Sequence, residues 1–393
     1  MTTANMRQLR LLNGFCLVLA VAAGVGGRSR TKAPSSIQSV RFVIGRELAV
    51  DQAEMPLVGK VYPNGRGLVA VAERDRHGVA VFDSLGELVV RVGRRGAGPG
   101  EFTTVSNVGW VGPDLWVSDQ AVGRITVLGR IGRNLTASVR TVAMAPGSRP
   151  TQLGGMLADS SALVVPDPWT GPPIAGLTMA PILAQTKRHG LAQIASVWYH
   201  HPIWVIPLTN GTMRGAQPWS DDDLWDLSPV GDRVIILDRG VRHVQTSSAC
   251  MLRQYSHTGA STFTARVTPS SLRLGSTEVR RWLDSTSETL RSDLAGAPLD
   301  YLKDELGRAV FVPRLHPCAI GLLPTPDGGV WLWRSSRTWD GFDSTGRLSA
   351  RGVVQDGVRL IGVDGKRAWV TVRHGSDGAV SLNVATIEAT GSR

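Results

Sequence analysis

Apolar residues alternate with small or polar ones in short runs along this chain, and turn residues separate the runs at regular spacing. The clearest stretch reads Leu68–Ala72, then Gly78–Phe82, then the turn Asp83–Gly86, then Glu87–Gly93. A period of two predicts strands with one face turned to a core, and Asn64-Gly65 is the strongest tight-hairpin signal in the chain. The same phrase recurs with its second strand starting at Leu68, Leu115, Ala162, Val234, Val330 and Ala368.

The first two intervals are each 47 residues (115 − 68 and 162 − 115), and the later ones are 72, 96 and 38. Units of about 40–50 residues with about four strands each predict a β-propeller, because one such sheet cannot bury both of its faces alone. The expected fold class is all-β: a six-bladed propeller over residues 37–393, with a small helical insertion between the fourth and fifth blades.

The predicted strands are Val58–Tyr62, Leu68–Ala72, Gly78–Phe82 and Glu87–Gly93 in the first unit. The second has Asn107–Val111, Leu115–Asp119, Arg124–Leu128 and Thr136–Val142; the third has Thr151–Leu157, Ala162–Pro166, Ile182–Gln185 and Leu191–Val197, with Lys187–Gly190 as outer turn. The fourth has Leu224–Ser228, Arg233–Asp238, Met251–Tyr255 and Ser261–Val267; the fifth has Ala319–Leu323, Val330–Trp333, Trp339–Asp343 and Arg347–Val354. The sixth supplies only Arg359–Val363, Arg367–Arg373 and Ser381–Ile387, which leaves an open edge. Val40–Ile44 is expected to add there as the outer strand and close the ring.

Two insertions interrupt the pattern. Residues 198–219 are rich in Trp, Pro and His and are expected to form an extra hairpin or loop. Residues 269–307 carry Val279, Trp282, Leu283, Leu290 and Leu294 at three- and four-residue spacing, which predicts a helix, and Pro298 opens a second one.

The first residues have the pattern of an export signal: Arg7 and Arg10, a mostly apolar Leu11–Val25, and small residues at Ala20–Ala22. The expectation is a signal peptide over 1–22, a linker over 23–36, and a periplasmic or extracellular protein. A lipid anchor at Cys16 is disfavoured by the preceding Asn13-Gly14-Phe15. Removal of the signal leaves Cys250 and Cys318, a candidate disulfide in an oxidising compartment. With no Cys-x-x-Cys pair, a cysteine zinc site is not expected.

The net charge of +11 is spread along the chain. That favours weak attraction to an anionic envelope surface over groove-like nucleic-acid binding, and no nucleic-acid partner is expected.

The loop Gly93-Arg-Arg-Gly-Ala-Gly-Pro-Gly-Glu-Phe102 and the ending Val117-Ser118-Asp119 resemble the NHL-type six-bladed propeller repeat. The chain from Val40 to Ile387 is similar to bacterial exported propellers of that kind, although only its first unit carries the full link. The resemblance implies a fold and an exported setting, and no reaction. The same loop lacks the Gly-Lys-Ser/Thr ending of a phosphate cradle, and no cofactor is expected.

Candidate chemistry is sparse, and no catalytic residue is assigned. An axial calcium-type ion would need oxygens from Asn64, Asn107, Asp119, Asp238 and Asp327, which sit at inconsistent places in their units. Asp221-Asp222-Asp223 with Asp226 reads as a solvated loop before a rim metal site. His200-His201 would point to opposite faces of a strand, and His189, His243, His257 and His316 fall in different units. Trp110, Trp116, Trp331, Trp333 and Trp369 are expected between blades, while Trp204, Trp219 and Trp225 are candidates for a glycan or peptide groove. The leading expectation is a non-enzymatic exported propeller that binds a protein, peptide or glycan through one face. The others are a metal-dependent hydrolase or lactonase at the axis, and a charge-held envelope scaffold.

Overall fold

The computed structural model describes residues 37–50, 58–129, 136–141, 151–166, 177–186, 190–200, 203–208, 211–240, 250–270, 273–293, 297–335, 337–375 and 379–390. The expected signal peptide and linker, the turn at 187–189, and His201 and His243 lie outside these residues.

Strand β1 (Gln38–Glu47) precedes the repeats. The first antiparallel sheet is β2 (Tyr62–Pro63), β3 (Leu68–Glu73), β4 (Gly78–Asp83) and β5 (Leu88–Val92). The second is β6 (Asn107–Val111), β7 (Asp114–Asp119), β8 (Arg124–Gly129) and β9 (Thr136–Thr141). The third is β10 (Thr151–Met156), β11 (Ala162–Pro166), β12 (Thr178–Gln185) and β13 (Leu191–Tyr199). A separate hairpin follows, β14 (Ile203–Leu208) and β15 (Gly211–Ala216). The fourth sheet is β16 (Leu224–Leu227), β17 (Arg233–Asp238), β18 (Cys250–Ser256) and β19 (Ser261–Val267).

Helices α1 (Ser276–Asp293) and α2 (Leu299–Ala309) come next. Then come β20 (Gly321–Pro324), β21 (Val330–Trp333), β22 (Thr338–Phe342), β23 (Leu348–Val353), β24 (Val358–Asp364), β25 (Arg367–His374) and β26 (Ala379–Ala389). These seven strands and β1 make one eight-stranded sheet in the order β20-β21-β22-β23-β1-β26-β25-β24. The fold is all-β and propeller-like, with two α-helices among the described residues. Neither helix is long and apolar enough to cross a membrane.

The outer-strand expectation for Val40–Ile44 matches the register: β1 pairs antiparallel with β26, Val40 opposite Ala389 and Phe42 opposite Ile387. It also pairs in parallel with β23, Val40 opposite Gly352, and so joins two four-stranded antiparallel sets.

Alternation decides which core each side chain enters. On β4, Val79 and Val81 pack with Trp110, Leu115 and Val117 of the second sheet, while Ala80 and Phe82 pack with Ile361, Trp369 and Leu382. This is the period of two expressed as burial on both sheet faces. Inner strands touch in sequence: β2 meets β6 and β24, β6 meets β10, β16 meets β20, and β20 meets β24. The third and fourth sheets meet through β13 and β17.

Tryptophan and glycine are paired across strands. Trp116 is opposite Gly109, Trp204 opposite Gly215, Trp331 opposite Gly341, Trp333 opposite Gly321 and Trp369 opposite Gly362. A Cβ built on Gly109 or Gly215 would lie 2.5 or 2.1 Å from the indole of its partner, so the missing side chain is the space the ring fills. Trp110, Trp116, Trp331 and Trp369 are buried as expected, and Trp333 is half-buried.

The insertions pack on each other. Trp204 and Ile206 of the hairpin form a core with Leu290, Leu302 and Leu306 of the helices. Gln217 clamps it: its amide donates to the carbonyls of Ile203 (3.3 Å) and Ala309 (2.9 Å), and its oxygen accepts from the Phe311 amide at 2.8 Å. Lys303 of α2 holds Asp284 of α1 at 2.8 Å.

Candidate functional site

Carboxylates on the sheet strands are held in ion pairs. Glu73 pairs with Arg91 at 3.1 Å, Asp238 with Arg253 at 3.2 Å, and Asp340, on β22, with Arg351 at 2.7 Å. Asp119 accepts the amides of Thr103 (2.7 Å) and Thr104 (3.2 Å) and lies 3.6 Å from Arg124. The Gly93–Phe102 link is thereby fastened to β7. Phe102 is fully buried against Gly93, whose φ of 94° excludes other residues without strain. Glu101 is held below the usual carboxylate range by the Gly98 amide and then by Arg94.

The proposed axial ligand set does not assemble. Asn64 spends its carbonyl oxygen on the amides of Arg66 (2.7 Å) and Leu68 (2.9 Å), as a turn residue does. Asn107 donates to the Leu153 carbonyl at 2.9 Å. Asn64 and Asp327 do share a cavity of about 300 Å³, with Arg66 and Asp364, at the turns that follow the inner strands. Burial, then Asp327, raises the Asp364 carboxyl. Asn107, Asp119 and Asp238 do not line it. Among the described residues no three His, Cys, Asp or Glu side chains are placed to hold a metal ion.

The Asp221–Asp223 run is not a solvated loop, which corrects the sequence expectation. Asp222 and Asp223 are 4% and 3% exposed. Asp222 accepts the His200 amide and Asp223 the Trp198 amide (3.0 Å), while Arg239 donates to the backbone of Asp222 and of Ala319 (3.3 Å). Desolvation pushes the Arg239 guanidinium down to about 10. Burial, then Asp222, raises the Asp221 carboxyl, and its Oδ1 has no hydrogen-bond partner among the described residues. The run thus anchors the return of the insertion to β16.

Of the three groove candidates, Trp204 is buried in the hairpin–helix core and Trp225 packs against the core of the third sheet. Trp219 alone reaches a cleft. This cleft, of about 690 Å³, is lined by Pro218, Trp219, Glu278, Arg281, Trp282, Ser285, His316, Pro317, Ile320, Trp333, Arg334 and Ser335. Glu278, Arg281, Trp282 and Ser285 stand at i, i+3, i+4 and i+7 on α1, the spacing of one helix face. Trp219 and Trp282 meet at 5.6 Å between ring centroids, with planes at 59°.

Across the cleft, Trp333 stacks on Trp339 at 5.8 Å, and the Arg359 guanidinium lies 5.1 Å from its ring centroid. Arg334 is tied to the Thr268 carbonyl at 2.5 Å and to Asp340 at 3.6 Å. Burial lowers the Arg334 guanidinium. The His316 ring is 3.1 Å from Glu278. The disulfide Cys250–Cys318, with Cα atoms 6.5 Å apart, fixes the Pro317 wall to β18.

Of the candidate histidines in different units, His257 and His316 lie among the described residues and have separate partners: the His316 ring pairs with Glu278, and the His257 amide donates to the Asp232 carbonyl at 3.1 Å. Sequence reading singled out His316 without its partner. The signal available was Glu278, Arg281 and Ser285 falling with Trp282 at helical spacing.

No protein-family model matches the chain, and no curated protein matches its sequence. Solved structures similar in fold include a protein of Bacteroides fragilis named as exported, 11% identical, covering 90% of this chain and 96% of that one, with a TM-score of 0.43. A member of the DUF4221 family from Bacteroides vulgatus is 8% identical over 90% of this chain and 100% of that one, at 0.41. Virginiamycin B lyase from Staphylococcus aureus is 10% identical over 87% and 99%, at 0.37. The propeller-like assignment stands on strand pairing and not on these likenesses.

Proposed function

We propose that this chain is an exported six-bladed propeller that binds a saccharide in the cleft between α1 and the 316–335 segment. The single observation that carries the reading is the lining of three indoles, Trp219, Trp282 and Trp333, interspersed with Glu278, Arg281, Ser285 and His316. Its volume of about 690 Å³ falls within the range typical of small-ligand sites, and apolar walls with a few placed polar groups are their usual composition.

The six-blade count is supported by β1, whose parallel bond to β23 joins what are otherwise two four-stranded antiparallel sets. Export is supported by the Arg7 and Leu11–Val25 pattern and by a disulfide suited to an oxidising compartment. A protein or extended peptide is favoured less. Among the described residues the lining is a face of α1 with residues at the ends of β20 and β21, and not a strand presented along its length for backbone pairing.

The axial hydrolase or lactonase has no comparable support. Its ligand residues are engaged by arginines, backbone groups and the Thr325 hydroxyl, and Lys60 bridges to Asp226 at 2.5 Å. A glycan array probed with the wild-type protein and with Trp282→Ala tests the proposal. Binding that is lost in the variant supports it; binding unchanged in the variant moves the site elsewhere.

A further inference from the structure

Resting on the saccharide reading, we infer that the cleft selects a carboxylate-bearing saccharide, with Arg281 as the group that recognises the charge. Three observations converge. Arg281 is exposed on the cleft face of α1 and has no ion-pair or hydrogen-bond partner among the described residues. The other guanidinium lining the cleft, Arg334, is already committed to Asp340 and Thr268. The one carboxylate in the lining, Glu278, is engaged by His316 at 3.1 Å. The lining thus holds two guanidiniums, one of them free among the described residues, against one carboxylate.

Chemistry narrows the ligand further. Indole faces pack on the apolar faces of sugar rings, while Ser285, Ser335, His316 and Glu278 supply both donors and acceptors around the rim. A hydroxyl-rich ring can donate to Glu278 and accept from the others. A proline-rich peptide, the other ligand that suits aromatic grooves, offers backbone carbonyl acceptors and no carboxylate along its backbone for the Arg281 fork. An arginine fork matches a carboxylate in a bidentate way, which an uncharged sugar cannot use.

The test is isothermal titration calorimetry of the full chain with trigalacturonic acid and with its methyl ester, the same rings without the charge. The expected result is binding of the acid about tenfold tighter than the ester at low salt, the size of one charge-assisted contact. Arg281→Gln should erase that preference while Arg281→Lys keeps part of it. Because Arg281 is exposed, neither change threatens the fold.

Equal binding of acid and ester, still sensitive to Trp282→Ala, overturns the charge inference and leaves the saccharide cleft standing. No binding of either, with a proline-rich peptide bound in a Trp282-dependent way, overturns both.

Discussion

Trp116 and Gly109 face each other across β6 and β7, and the indole occupies the position a side chain on Gly109 would take, 2.5 Å from its Cζ2. Trp116 is 2% exposed and also abuts Gly155 of the third sheet, so it has nowhere to retreat. Gly109→Ala is expected to destabilise by about 1–3 kcal/mol, the usual cost of overpacking a filled core. Gly59→Ala, where a Cβ meets nothing within 4 Å, serves as the control and should be neutral or mildly stabilising. Urea midpoints at constant m-value read both.

Lys60 and Asp226, at 2.5 Å and 18% and 27% exposed, link the segment leading into β2 to β16. β2 belongs to the first sheet and β16 to the fourth, so the pair ties together two sheets that are distant in sequence. Lys60→Met strands a half-buried carboxylate and should cost about 1–3 kcal/mol, between the values for exposed and buried pairs. Lys60→Met with Asp226→Leu should recover part of that loss. A double variant no better than the single one would show that the pair carries no coupling.

The Cys250–Cys318 bridge spans 68 residues, including both helices of the insertion. Its removal by Cys250→Ala with Cys318→Ala should cost about 4 kcal/mol from loop-closure entropy. Thermal unfolding should show the same fall when the wild type is reduced. Because Cys318 adjoins Pro317, saccharide affinity should weaken alongside stability.

Asp221 carries a pH prediction whose sign follows from its raised carboxyl. The folded state holds that proton more tightly than the unfolded chain, so stability falls as pH rises from the ordinary carboxylate value through the raised one. Asp221→Asn removes this loss. The variant should melt above the wild type at pH 7, and the difference should vanish in acid where both side chains are neutral. A lower melting point at pH 7 would mean that Asp221 is needed to balance Arg239.

The strand plan was legible because each strand alternates and each turn is marked. Predicted Arg233–Asp238 and Val330–Trp333 coincide with β17 and β21, and the Val279, Trp282, Leu283 and Leu290 spacing found α1. What local pattern could not show is pairing between distant segments. Asp119 and Asp238 look like ligands in sequence, yet Arg124 and Arg253 on neighbouring strands claim them. Trp204 and Trp219 look alike, yet Gly215 and α2 bury the first while Trp282 draws the second into the cleft. The site joins α1 to the 316–335 segment through the folded insertion, and no single window of sequence contains it.

Hydrogen–deuterium exchange of the full chain, with and without trigalacturonic acid, tests the cleft most directly. Slowed exchange confined to residues 278–285 and 316–335 is the predicted result. Slowed exchange at the turns around Asn64, Asp327 and Asp364, with α1 unchanged, would contradict it.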